Sequence, residues 1–319
     1  MDTTSNSPCP QCGEPTRPRW RICPMCETRL NALTCPKCGS DVNEKWRYCP
    51  ECEALLLCRQ CGDRMMPGQD FCHRCKASQS DQREKRSILK DPVCGLEFVL
   101  VPGGTFAMGD TLGQGIENEK PVHAVALDDF YISRFPVTQS QWEVLVKENP
   151  SQFRHPDHPV EQVTWSDACD FARKLSQMAQ EDLHVMLPTE AQWEYAARSS
   201  GKEDLYAGGD DIDAVAWYDA NSQGTTQSVG KKRPNELGLH DMSGNVWEWC
   251  QDAYQADAYE RHGHRNPVAA EATGTNHVIR GGSWNLDAWS ARCARRLNFR
   301  ADYFGPGLGF RLVMLTKSL

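Results

Sequence analysis

Arg280-Gly281-Gly282-Ser283-Trp284, closed further along by Gly309-Phe310-Arg311-Leu312-Val313, is the stretch that organises the rest of the chain. The framing segments Val278-Ile279 and Phe310 to Leu315 are short and apolar, the composition of buried strands. Between them lie Asn285, Asp287, Trp289, Ser290, Phe299, Asp302, Tyr303, Phe304, several arginines and Gly305-Pro306-Gly307. No helical or alternating period runs through this segment, so it is expected to be ordered irregular chain. Long irregular connections inside compact domains are usually functional. The expectation is a contact surface held between two rigid segments.

The chain has 319 residues, enough for one large domain and small modules. No apolar run approaches the roughly 20 residues of a membrane span. The N-terminus, MDTTSNSPCP, lacks the basic and apolar pattern of a signal peptide. The sequence therefore predicts a soluble, cytoplasmic protein with no membrane partner. Residues 1–90 carry 15 Lys and Arg against 11 Asp and Glu, a surplus of four positive charges. With a net charge of −8 for the whole chain, everything after residue 90 is strongly acidic. An acidic main domain suits a phosphate backbone poorly, and the small N-terminal surplus does not favour nucleic acid.

Twelve of the 16 cysteines form six Cys-x2-Cys pairs before residue 76. The pairs are Cys9 with Cys12, Cys23 with Cys26, Cys35 with Cys38, Cys49 with Cys52, Cys58 with Cys61, and Cys72 with Cys75. Taken two by two, each group has ten residues between its pairs, which makes an internal repeat. Each Cys-x2-Cys turn aims two sulfurs at one point, and two turns complete a tetrahedron of thiolates. The expectation is three structural zinc ions in three tandem ribbons over residues 1–80. The repeats resemble the zinc-ribbon modules of bacterial proteins. Such small cores fold only around their metal, and they most often serve as protein adaptors. Residues 81–91 are polar and charged and read as a linker.

Residues 92–319 read as a single α+β domain. Phe98 to Val101 is a strand ended by a Pro-Gly-Gly turn, and Pro121 to Leu127 alternates with period two. Phe130 to Phe135 is a further strand. Thr138 caps a helix bearing Trp142 and Leu145. Ser166 is expected to cap a second, with Ala168, Phe171, Ala172, Leu175 and Met178 on its apolar face. Thr189-Glu-Ala-Gln192 is a capping box opening a third. Beyond Arg198 turn residues dominate, and little regular structure is expected.

Several motifs occur in order: Val101-Pro-Gly-Gly-Thr-Phe-Ala-Met-Gly109, Leu187-Pro-Thr-Glu-Ala-Gln-Trp-Glu-Tyr-Ala-Ala-Arg198, Asp241-Met-Ser-Gly-Asn-Val-Trp-Glu-Trp249, Arg280-Gly-Gly-Ser-Trp284 and Gly309-Phe-Arg-Leu312. Together they resemble the formylglycine-generating enzyme, or sulfatase-modifying factor, family. The resemblance spans nearly all of residues 95–315 and implies a C-type-lectin-like fold. Met186 stands where the family usually has Arg.

The resemblance also frames the chemistry. Oxidase members bind copper through two cysteines in the loop after Arg-Gly-Gly-Ser. Here that loop, NLDAWSARCARR, holds Cys293 alone, so the soft ligand pair needed for Cu(I) is missing. Iron-dependent relatives draw histidines from an added helical domain, and no such domain is expected from these residues. His262 and His264 read as solvated loop, and His123 as a satisfied core histidine. Cys169 and Cys250 read as core residues. In the family, the segment matching Asp241 to Glu248 holds calcium. Carried across, the candidate ligands are the Asp241 and Glu248 side chains and the Gly244 and Val246 carbonyls, hard oxygens of the type calcium takes.

With catalysis disfavoured, the loop composition points to binding. Large aromatics among Ser, Asn, Asp, Arg and Gly supply rigid anchors with adaptable polar contacts. The candidate contact residues are Asn285, Leu286, Asp287, Trp289, Ser290, Leu297, Asn298, Phe299, Tyr303 and Phe304. Their alternation with Ala288, Arg292, Ala294, Arg296 and Asp302 resembles the variable region of retroelement-diversified proteins, which use this lectin-like fold. The expected partner is a protein or small ligand on the 285–308 loop. A metal-dependent oxidase or oxygenase and a nucleic-acid-associated ribbon factor are the alternative readings.

Overall fold

The computed structural model describes residues 88–178, 183–261, 263–269 and 276–316, with two short strands earlier in the chain. The chain divides into two compact units, Met1–Glu84 and Lys85–Leu319. In the first, β1 (Leu33–Thr34) pairs antiparallel with β2 (Asp41–Val42). The twelve expected zinc ligands lie outside the described residues. For the first ribbon these are Cys9, Cys12, Cys23 and Cys26; for the second, Cys35, Cys38, Cys49 and Cys52; for the third, Cys58, Cys61, Cys72 and Cys75.

The second unit opens with β3 (Leu89–Lys90), which pairs with β4 (Glu97–Val101). The end of the expected linker is thus a strand. β5 (Gly104–Met108) and β6 (His123–Leu127) form a two-stranded ribbon, and β7 (Phe130–Ser133) follows. Helix α1 (Gln139–Leu145) carries the capping box of Thr138 with Gln141, and α3 (Glu190–Ala197) that of Thr189 with Gln192. Helix α2 (Trp165–Met178) begins earlier than its sequence suggests. Its cap is Thr164, not Ser166. Thr164 Oγ1 accepts the Asp167 N–H at 3.1 Å, and Asp167 accepts the Thr164 N–H at 3.0 Å. Ala168, Phe171, Ala172 and Leu175 are buried, but Met178 at the helix end is 60% exposed.

The remaining elements are β8 (Leu183–Met186), the short helix α4 (Ile212–Val215), β9 (Trp247–Ala253), the short helix α5 (Ala258–Arg261) and β10 (Asn276–Arg280). They are followed by β11 (Arg296–Arg300), β12 (Leu308–Gly309) and β13 (Val313–Thr316). Two sheets organise the unit. One has the order β3-β4-β7-β13-β8 and the other β11-β10-β9-β12. The first is antiparallel throughout, and the second ends in a parallel β12–β9 pair.

The second half holds more regular structure than its sequence suggests. The segment between Arg280 and Gly309 is not wholly irregular. It holds a 3-10 turn at Ala288–Ala291 and the strand β11. The longest strand, β9, also lies beyond Arg198. Six of its seven residues are buried, so both faces are covered and no alternation marks it. Met186 pairs with Val313 and packs on the core, so the fold stands without the family's Arg.

Around the second sheet the core is aromatic. Trp142 and Phe171 stack at 5.4 Å, and Phe310 meets both rings edge-on. Trp247 and Trp249 are buried. Among the described residues no helix is long and apolar enough to cross a membrane.

Candidate functional site

The segment that follows β10 is fastened by arginines that leave water entirely. Arg280 donates to Glu190 at 2.8 Å, to Glu194 at 2.5 Å and to the Cys293 carbonyl at 2.6 Å. Arg296 reaches both oxygens of Glu190 at 2.7 Å, and Arg292 both oxygens of Glu119 at 2.9 Å. All are buried, and buried charges persist only when paired. Gly282 sits at φ +77°, and a Cβ there would come within 2.9 Å of Ala291 Cα. The second glycine of Arg-Gly-Gly-Ser therefore lets the 3-10 turn lie directly on the strand end.

Cys293 is fully buried beneath this network. Burial pushes its thiol up to about 12, with Arg198 opposing and Glu194 and Asp204 adding to the rise. A thiol that stays protonated at neutral pH is a poor nucleophile and a poor soft-metal ligand. Cys250 is buried and also raised, foremost by desolvation. Cys169 is half-buried against the core. His123 is half-buried, with Nδ1 at 3.1 Å from the Pro121 carbonyl and its ring beside Tyr259. His264 is exposed, and His262 lies outside the described residues.

The candidate calcium ligands form a different arrangement. Glu248 is fully buried, with Arg311 at 2.6 and 2.8 Å on its two oxygens and the Trp193 indole N–H at 2.6 Å. Asp241 accepts the Gly230 N–H at 2.7 Å, and burial raises its carboxyl to about 6. Gly244, at φ +78°, is packed against the Trp217 backbone, and Val246 is buried. Among the described residues, no group of three or more His, Cys, Asp or Glu side chains is placed to hold a metal ion. Both Glu248 oxygens are thus taken by Arg311 and Trp193, and a calcium ion held by Asp241, Glu248 and the Gly244 and Val246 carbonyls would have to compete with them.

The ten candidate contact residues divide. Asn298, Phe299, Tyr303 and Phe304 line one open depression, together with Asn276, Arg300 and Asp302. Phe299 and Tyr303 stack at 4.1 Å, while Tyr303 and Phe304 remain 43% and 58% exposed. Asn298 accepts from Asn276 at 2.6 Å, and Arg300 forms a two-bond pair with Asp302. Asn285, Leu286, Asp287, Trp289 and Ser290 belong to the 3-10 turn and its approach instead. Asp287 caps it through the Ser290 N–H. Trp289 donates to the Gln114 carbonyl, and the guanidinium groups of Arg292 and Arg295 lie 4.6 and 4.4 Å from its ring. It is a half-pinned ring rather than a free anchor. Leu286 and Leu297 pack on the core, as does one side of Phe299. Asn276 was not legible as a contact residue, because only strand pairing brings it beside Asn298 and Arg300.

The model for the sulfatase-modifying factor enzyme 1-like domain matches residues 84–315. The chain belongs to that family. Its fold is C-type-lectin-like. The double zinc ribbon model matches residues 9–53, which contain eight of the paired cysteines and indicate structural zinc. This sulfatase-modifying-factor chain is 31% identical to the protein named Chaperone protein LppX of Paenibacillus barcinonensis, covering 71% of this chain and 96% of that one. It is 30% identical to the formylglycine-generating enzyme of Streptomyces coelicolor, over 67% of this chain and 87% of the enzyme. Among solved structures it is similar to Treponema denticola variable protein 1, with a TM-score of 0.62 and 28% identity. That match covers 69% of this chain and 96% of the other.

Proposed function

We propose that this chain is a non-catalytic, cytoplasmic binding protein whose contact surface lies in the 285–308 segment. The observation that carries the reading is the depression beside β11. It joins a stacked aromatic pair, an exposed Phe304 and adaptable amide and charged groups, the mixture of a binding surface. Likeness to a variable protein of the same fold supports a surface whose contact residues are free to differ between members. The partner is a protein or a small ligand. The ribbons act as a protein adaptor with three structural zinc ions. Cys9, Cys12, Cys23 and Cys26 hold the first. Cys35, Cys38, Cys49 and Cys52 hold the second, and Cys58, Cys61, Cys72 and Cys75 the third.

Kinship with formylglycine-generating enzymes makes oxidase activity the competing reading. The loop's solitary, buried Cys293 weighs against it. Full-length protein supplied with Cu(I), oxygen and a cysteine-containing peptide separates the two. The binding reading predicts oxygen uptake no greater than a protein-free blank. Uptake that needs both copper and protein overturns it.

A further inference from the structure

We propose that the depression receives an extended peptide that adds as a strand to β11; this rests on the contact surface proposed above. β11 stands at the edge of its sheet, and among the described residues it pairs only with β10. Outside that pairing, the Arg300 carbonyl at its end accepts the Tyr303 N–H. An unpaired strand edge presents a row of N–H and C=O groups in the plane of the sheet, a template for another strand.

The lining of the depression shows where it opens. Register sets Arg300 opposite Asn276 and Asn298 opposite Val278, while Phe299 stands opposite His277. Successive side chains along a strand point to opposite faces. Asn298 and Arg300 therefore share one face of the sheet, and Phe299 belongs to the other. All three line the same depression, together with Asn276 across the ladder from Arg300, so it reaches both faces around the end of the β10–β11 pair instead of lying on one. A compact ligand on one face would not need that geometry, whereas an extended chain uses it along its whole length.

Side chains around the edge narrow the kind of peptide. Phe299, Tyr303 and Phe304 form an apolar platform on one side. Arg300 and Asp302 neutralise each other, so the rim carries no net charge to match a charged run. The complementary peptide is uncharged through its centre, with an apolar or aromatic side chain for the platform. At one end the Trp165 N–H holds the Ala301 carbonyl, which limits added pairing to the span of β11.

Short random peptides displayed on phage and selected on the full-length protein supply the probe. The tightest peptide is resynthesised with single backbone N-methyl groups at each position in turn. Strand addition predicts that affinity falls about tenfold at every second residue, where an N–H faces β11, and little at the residues between. Tyr303→Ala and Phe304→Ala should weaken the unmodified peptide as well. Sensitivity to those two substitutions without any alternation under N-methylation leaves the contact surface standing and overturns strand addition. Binding indifferent to both substitutions overturns the surface itself. Selection that yields no peptide also overturns strand addition, as does sedimentation showing a dimer that Phe304→Glu dissociates, since the occupant is then a second copy.

Discussion

Arg296, the first residue of β11, and Glu190, the first residue of α3, are joined by two parallel hydrogen bonds of 2.7 Å, with both side chains buried. The same Glu190 takes Arg280 from the end of β10. One carboxylate therefore ties the edge strand and its neighbour to a helix. Removing Arg296 leaves the buried Glu190 with Arg280 alone and two charge-assisted hydrogen bonds unmade. Arg296→Ala is expected to cost about 3–5 kcal/mol in chemical denaturation. Arg296→Ala combined with Glu190→Gln should cost less than the sum of the two single changes. Simple additivity would show that the pair is not coupled.

The aromatic residues of the depression should separate by role. Phe299 packs partly on the core, whereas Phe304 is largely exposed. Phe299→Ala is predicted to destabilise by about 1–3 kcal/mol, and Phe304→Ala by about 0.5 kcal/mol or less. Thermal melting of the two variants checks this. Equal losses would mean that the exposed ring is structural.

Glu161 makes stability depend on pH in a direction opposite to an ordinary ion-paired carboxylate. It is fully buried, with one oxygen on the Phe153 N–H at 2.8 Å and Oε2 without a partner. Burial raises its pKa from 4.5 to about 7, opposed by backbone N–H groups of Phe153 and Gln152 and by Arg154. Between those two values the folded state holds a proton that the unfolded state has released. Stability from this group is therefore full below about 4.5 and is lost as pH rises through about 7. Glu161→Gln should flatten the pH dependence, gaining about 3 kcal/mol on wild type between pH 5 and pH 8. Parallel curves for the two proteins would show that Glu161 does not carry the proton.

Metal content tests the N-terminal module. Twelve paired cysteines taken four to a site predict about three zinc ions per chain by elemental analysis. Zinc that falls by about one ion in a Cys58→Ser and Cys61→Ser variant would confirm the third ribbon. An unchanged zinc count in that variant would remove it. Calcium is expected to be absent, since Glu248 is committed to Arg311 and Trp193.

Much of the first half of the main domain was legible because its signals are local. Thr138 and Thr189 announce their helices by side-chain chemistry that needs no tertiary context. Thr164 was missed because Ser166 is an equally good capping residue two positions later, and only the reciprocal bonds with Asp167 decide between them. The strand β11 was hidden by its own arginines. Arg296 reads as surface in any hydropathy pattern, and its burial depends on Glu190, far back in the chain. The partial pinning of Trp289 is illegible for a related reason, since the contacts that hold it come from Gln114 and from neighbouring guanidinium groups. The exposed aromatic turn at Tyr303 and Phe304 was anticipated from composition, because packing does not decide those residues.

Calorimetry with a library-selected ligand, run on wild type and on a Tyr303→Ala, Phe304→Ala double variant of the full-length protein, tests the central claim most directly. Both samples are also melted. The account predicts that affinity falls by about tenfold or more, since exposed aromatic anchors dominate such surfaces, while the melting temperature stays within a few degrees. Unchanged affinity, or affinity lost only together with a collapse in melting temperature, would contradict it.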